Sequence, residues 1–316
     1  MKQNDQYLCS VVIPTKNGGD LFERVLKGLQ AQSCWKNVQL IVVDSGSTDK
    51  TTELARKFGA VVHEIPPEQF NHGATRDFGI FLAESDNVIL LVQDAVPNSD
   101  HLLEKLVAAL EEPGTAGAYA RQIPQPDADI LTKRNLNGWL TGRMTREVRR
   151  LTSAGDYDKL SAMEKYFFCN FDNVCSAIKK PVWEKIKFGR INFGEDIDWA
   201  ERILKDGHAI VYEPDAAVIH SHDRPLSYEY KRTYVCHRKL FRQFGVHTVP
   251  SLRPALYAWF RASGRDILYV MGHEKRLSQK IKMAFKVPIL NLLSVIGQYR
   301  AARDEQSGTE IKIQGV

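Results

Sequence analysis

The chain is poor in cysteine. Cys9, Cys34, Cys169, Cys175 and Cys236 are five in 316 residues, odd in number, scattered and without a CxxC pair. That pattern speaks against a disulfide framework and suits reduced thiols in a cytosolic compartment. The opening residues, MKQNDQYLCS, lack the apolar run of a signal peptide, so the start of the chain reads as cytoplasmic. No uninterrupted apolar stretch reaches the ~18 to 20 residues of a spanning helix. Aromatic residues make up 9% and are not interleaved with the basic ones as a stacking platform requires, which argues against a nucleic-acid partner. Two nucleotide-binding signatures are also missing: GxGxxG after the first apolar run, and GxxxxGK followed by Ser or Thr anywhere. Their absence lowers the dinucleotide-fold and P-loop readings.

What is present begins with a 43% hydrophobic composition, enough for one large or two modest cores. Residues 8–13 read as a short apolar strand that stops at PTKNGG, after which Leu21, Phe22, Val25, Leu26 and Leu29 recur at helical spacing. A second strand, residues 38–43, runs into DSGSTD, where Ser47 or Thr48 can cap a helix that ends at Gly59. A third strand covers about residues 60–65, residues 71–82 are helical, and the apolar run VILLV stops abruptly at Gln93-Asp94. This β-α-β alternation predicts a Rossmann-like, mostly parallel sheet with helices on both faces. Beyond it the pattern gives a helix capped by Ser99 and strands near 117–121, 171–178, 210–212 and 217–219. It also gives a short helix at Pro181 and a helix over 195–206. The long polar stretch between residues 122 and 168 reads as functional surface, with a solvated helix near 144–151.

Open α/β sheets bind ligands beyond the carboxyl ends of their strands, which puts Asp94 at the mouth of a site, although an Asp there is also a common loop residue. Asp44 can accept the N3 hydrogen of a pyrimidine base or simply shape its turn. Arg76 can reach a phosphate or remain a solvated charge. Glu195, Asp196 and Asp198 open a helix, where the macrodipole favours carboxylates in any case. His220 and His222 alternate along a strand and can share a face, as two metal ligands would.

Taken in order, SVVIPTKN, LIVVDSGSTDKT, NHGATRDFG and LLVQDAVP resemble the nucleotide-binding half of glycosyltransferase family 2, and within it the bacterial rhamnosyltransferase-type members, over residues 8–225. The resemblance implies a GT-A domain over residues 1–224. Donor contacts would come from Pro14, Thr15, Asn17, Asp44, Gly46, Ser47, Arg76 and Gln93, and Mg²⁺ or Mn²⁺ would be held by Asp94 and by His220 in preference to His222. Asp196 would be the base that takes the acceptor proton, kept ionised by its helix N-terminus. The family's Asp-x-Asp motif reads Val92-Gln93-Asp94 here, so the first Asp is missing and a donor-sugar contact with it. The implied reaction is inverting transfer of a sugar from a dTDP- or UDP-sugar, L-rhamnose from dTDP-rhamnose in particular. The acceptor would be a hydroxyl of a lipid-linked saccharide, in cell-surface polysaccharide synthesis. A nucleotidyltransferase, or a non-catalytic nucleotide-sugar-binding or scaffold protein, is the alternative.

Residues 225–316 read as a basic, helical extension. Residues 281–296 are its most apolar part, edged by Lys275, Arg276, Lys280, Lys282, Lys286 and Arg300. An apolar face rimmed with cations fits an interfacial helix, kinked at Pro288, on the cytoplasmic face of the inner membrane. The same face suits a homo-oligomer or other docking contact. The tail after Arg303 reads as polar and disordered.

Overall fold

The computed structural model describes residues 7–153, 155–222 and 225–309. They form two compact units, one of residues 7–125, 136–153, 155–160 and 167–221, the other of 126–135, 161–166, 222 and 225–309. Two short pieces of the long polar stretch thus go with the C-terminal helices.

Among the described residues, nine strands build one sheet: β1 (Cys9–Thr15), β2 (Val38–Asp44), β3 (Val61–Glu64), β4 (Asn87–Leu91), β5 (Val96–Pro97), β6 (Thr115–Ile123), β7 (Glu147–Arg149), β8 (Cys175–Lys179) and β9 (Ala209–Ile219). Their order is β3-β2-β1-β4-β8-β6-β9-β5, with β7 pairing β9. The first four strands are parallel, as their continuous apolar runs predict. β8 enters antiparallel between β4 and β6, and β6 runs parallel to β9, so the second half of the sheet is mixed. The helices of the first unit and its borders are α1 (Gly19–Gln30), α2 (Thr51–Lys57), α3 (His72–Leu82), α4 (Leu102–Leu110), α5 (Ile130–Asn137), α6 (Asp156–Lys159), α7 (Ala162–Phe168), α8 (Lys180–Lys185) and α9 (Glu195–Lys205). In α1 the predicted residues Phe22, Val25, Leu26 and Leu29 are buried in the core with Val11, Ile13, Leu40 and Ile89, while Leu21 is half-buried. Burial in that core pushes the Cys9 and Cys175 thiols well above their ordinary range, so both are inert.

Several local expectations change. Helix α2 starts at Thr51, because Ser47 and Thr48 are used by loop contacts and the Asp49 side chain accepts the Thr51 N–H instead (3.0 Å). Ser99 does not cap α4, which begins at Leu102. The two short strands near 210 and 217 are one strand, β9, whose pairing with β6 shifts register after Ala120. Residues 147–149 form β7 rather than a helix, with Val148 opposite Val211 on β9.

The second unit packs α10 (Leu226–Phe244) and α11 (Leu252–His273) against α12 (Leu277–Gln306). Val270, Met283 and Val287 form its core with Leu131. Asp266 is buried there and accepts from Arg134 (2.8 Å), Arg265 (3.0 Å) and Asn291 (3.1 Å). Pro288 does not end α12, which is long and apolar enough by length and composition to cross a membrane. The helix also runs past Arg303 to Gln306, held by Arg238 and Arg242 on Glu305, while residues 310–316, part of the expected disordered tail, lie outside the described residues.

Helix α3 sits so close to the segment before α9 that a Cβ on Gly73 would lie 2.1 Å from the Gly189 carbonyl oxygen. Backbone cannot yield as a side-chain tip can, so Gly73→Ala should cost about 1 to 3 kcal/mol of stability in urea unfolding.

Candidate functional site

The two strand-end loops after β1 and β2 are laced together. The N–H of Asn17 donates to Ser47 Oγ (2.8 Å), that of Thr48 to Asn17 Oδ1 (2.8 Å), and that of Gly18 to Thr51 Oγ1 (2.8 Å). Gly46 turns with φ +85°, and a Cβ there would strike Pro67. Asp44, 1% exposed, accepts from Thr15 Oγ1 (2.9 Å), Ser47 Oγ (2.5 Å) and the N–H groups of Gly46 (3.0 Å) and Ser47 (2.8 Å). A carboxylate has about four lone-pair sites. These contacts give Asp44 the turn-shaping role, one of its two readings. Gln93 is committed too: Oε1 accepts the Lys16 N–H (2.8 Å) and Nε2 donates to the Lys16 carbonyl (3.1 Å). Pro14, Thr15, Asn17, Asp44, Gly46, Ser47 and Gln93 therefore come together, as one cross-braced shelf at the ends of β1, β2 and β4. Val92 packs against the core beside it.

Arg76 is neither a phosphate-facing nor a solvated charge. It is 6% exposed, and its Nη1 lies 2.9 Å from Glu195 Oε1 and donates to the His72 carbonyl (3.1 Å). On the same helix Asp77 accepts from Trp183 Nε1 (2.6 Å) and from the N–H groups of Phe188 (3.0 Å) and Gly189 (2.8 Å). The NHGATRDFG segment thus anchors the approach to α9.

The three acids that open α9 have separate fates. Burial alone would raise the Glu195 pKa, but the Arg76 guanidinium, with help from His72 and Asn173, holds it below the usual range. Asp198 accepts from Arg202 Nε (2.9 Å) one turn along. Asp196 accepts from the N–H groups of Ile197 (2.8 Å) and Asn173 (3.3 Å) and has neither arginine as a direct partner. Desolvation, then the charges of Glu195 and Asp172, push its pKa up to about 8. The expectation that the helix N-terminus keeps Asp196 ionised is therefore reversed, since burial and two neighbouring carboxylates outweigh a dipole effect of about 0.3 to 1 kcal/mol.

Asp94 Oδ1 lies 3.6 Å from His220 Nε2. Two atoms each about 2.1 Å from one ion lie roughly 3 to 4.2 Å apart, so this oxygen and nitrogen pair fits Mg²⁺ or Mn²⁺. His220 Nδ1 meets Gln122 Oε1 (2.9 Å), and Gln122 Nε2 donates to Asp172. Sequence reasoning missed Gln122, Asp172 and Asn173. The signal for Gln122 was its place at the carboxyl end of a strand.

Asp196 carries a pH prediction. Its pKa is raised from the carboxylate range to about 8 in the folded chain, so between about pH 4 and 8 the folded state holds the extra proton. The resulting stability is full below the unfolded pKa and is lost as pH rises through the folded one. Thermal melts from pH 5 to 8.5 should show Asp196→Asn gaining on the parent as pH rises; parallel pH profiles would refute the shift.

Comparison with known proteins bears on the family and the fold. Residues 10–170 match the family described as glycosyl transferase family 2. The chain is 28% identical over 248 residues to the O-antigen chain rhamnosyltransferase RfbN of Salmonella typhimurium, and 29% identical over 248 residues to the O-antigen chain rhamnosyltransferase WbaN of Salmonella anatum. Each match covers 75% of this chain and 75% of the relative. The mannosyltransferase PcManGT of Pyrobaculum calidifontis, solved with GDP-Man and Mn²⁺, superposes with a TM-score of 0.61 at 15% identity, over 98% of this chain and 89% of its own. TarS 1–349 of S. aureus, solved with UDP-GlcNAc, gives 0.54 at 15% identity, over 96% and 93%. At such identities the structures speak for the fold alone, and that fold is GT-A. With about half its length matched by the family and three quarters by the rhamnosyltransferases, the chain belongs to glycosyl transferase family 2, and it is a glycosyltransferase rather than a nucleotidyltransferase or a non-catalytic binding protein.

Proposed function

We propose that the protein is an inverting, metal-dependent rhamnosyltransferase that moves L-rhamnose from dTDP-rhamnose to a hydroxyl of a lipid-linked saccharide, in the synthesis of a cell-surface polysaccharide. The observation that carries this reading is the sorting of the three α9 acids, which leaves Asp196 to exchange a proton near neutral pH. The two relatives named as O-antigen chain rhamnosyltransferases support the sugar and the class of acceptor. Asp196 takes the acceptor proton as the hydroxyl oxygen bonds to the anomeric carbon, and the bond from that carbon to the diphosphate oxygen breaks, its electron pair leaving with the diphosphate. A single displacement inverts the centre. The cross-braced shelf at the ends of β1, β2 and β4 receives the nucleoside. Asp94 and His220 would hold the ion, which when bound neutralises charge on the departing diphosphate.

Assays of dTDP release should show kcat/KM rising with pH and levelling off above about 8. Asp196→Asn should lower kcat by at least ~10²-fold with donor affinity nearly unchanged, and Asp198→Asn should do much less. An active Asp196→Asn beside a dead Asp198→Asn would overturn the assignment of the base.

A lipid-linked acceptor calls for a membrane-bound enzyme, and the second unit offers the surface. Leu277, Ile281, Phe285, Ile289, Leu292 and Ile296 form an exposed stripe along α12, and Leu252, Leu256 and Phe260 an exposed stripe on α11. Lys275, Arg276, Lys280, Lys282 and Lys286 rim it, with Glu274 the one acid in that stretch. Apolar area with cationic edges fits anionic lipid at the cytoplasmic face. Phe285 is 73% exposed, so Phe285→Glu with Ile289→Glu should leave the fold intact and release the protein from phosphatidylglycerol vesicles in co-sedimentation. Undiminished binding would turn the stripe over to a second copy of the chain.

A further inference from the structure

We propose that Gln122 is the positioning residue of the metal site, fixing His220 in the tautomer that turns the Nε2 lone pair toward Asp94. The inference rests on the reading of Asp94 and His220 as metal ligands. Gln122 lies on β6 opposite Val218 of β9, two residues before His220, and is 9% exposed. Its amide has one sense. The Asp172 carboxylate only accepts hydrogen bonds, so the NH₂ end faces Asp172 and the carbonyl end faces His220 Nδ1 at 2.9 Å. Asp172 is itself steadied by the Val174 N–H (2.9 Å).

A carbonyl oxygen can only accept, so Nδ1 carries the ring proton and Nε2 of the neutral ring offers its lone pair. That lone pair lies 3.6 Å from an Asp94 oxygen. Two electron-pair donors facing each other are complementary to a cation held between them. Donation from Nδ1–H to the amide carbonyl also raises the basicity of Nε2, the usual service of a group behind a metal-bound histidine. The other end of the same amide reaches Asp172, next in the chain to Asn173, whose N–H donates to Asp196. One side chain therefore spans from the metal ligand to the surroundings of the base.

The test is Mn²⁺ affinity of the full chain without donor, read by electron paramagnetic resonance. Gln122→Leu keeps the bulk and removes both hydrogen bonds, and should weaken Mn²⁺ binding 10- to 100-fold. Gln122→Glu combined with Asp172→Asn rebuilds the pattern, an acceptor for Nδ1–H and an amide donor behind it, and should restore the parent affinity. Nitrogen-15 shifts of His220 in the metal-free parent should report the proton on Nδ1, a readout that needs no variant to fold. Unchanged Mn²⁺ affinity in Gln122→Leu while His220→Ala loses it would overturn the role of Gln122 and leave the site standing. Unchanged affinity in His220→Ala would remove the site reading itself. Weakened binding that the rebuilt pair fails to restore would also overturn the tautomer account.

Discussion

The ion pair between Arg76 and Glu195 is the contact on which the site depends. At 2.9 Å, with side chains 7% and 6% exposed, it takes both charges out of water, at several kcal/mol per ion. Such a pair persists only with further hydrogen bonds, and it has them: the His72 carbonyl on Arg76 and Asn173 Nδ2 on Glu195 (3.2 Å). Its first effect is mechanical, for it ties α3 to the start of α9. Its second is electrostatic. Because Arg76 keeps Glu195 ionised, a fixed negative charge stands beside Asp196 and raises its pKa. A neutral Glu195 would leave Asp196 more acidic and a weaker base.

Much of the first half of the fold was legible in the sequence, because buried parallel strands and amphipathic helices write their periods directly into the chain. The strand ends at Asp44 and Asp94 and the acid-led helix at Glu195 were found that way. What single-sequence reasoning misjudged was which polar groups are already satisfied. Asp44 and Arg76 were each given two readings, and nothing local distinguishes them. Only the fold shows that Thr15 and Ser47 saturate the first and that Glu195, far along the chain, claims the second. The ionisation expected of Asp196 was misjudged for a related reason. Its helix position argues for ionisation, while burial and then the charges of Glu195 and Asp172, the latter brought in by another strand, push the other way.

The saturation of the shelf has a use. Loops after β1 and β2 that bond to each other need not be ordered when a donor arrives, so less of the binding free energy is lost to immobilisation. The open positions are then set by backbone shape: the positive φ of Asn17 (+49°) and Gly46 (+85°). Side chains picked out by their place in a motif build that mould.

The convergence of the remaining polar groups follows from strand order. β4, β8, β6 and β9 are neighbours in the sheet, and the direction of β8 is opposite to the other three. Leu91 pairs with Cys175, so the residues just before β8, Asp172 and Asn173, lie at the same edge as Asp94 just after β4. Gln122 near the end of β6 and His220 just beyond β9 complete that edge, with Ile123 opposite Ile219. The rule that ligands gather at carboxyl ends of strands finds Asp94 and His220 but passes over groups at the amino end of a reversed strand. A reversed strand in the middle of the row is what puts a carboxylate, Asp172, behind the amide that meets His220, and close enough to Asp196 to help raise its pKa.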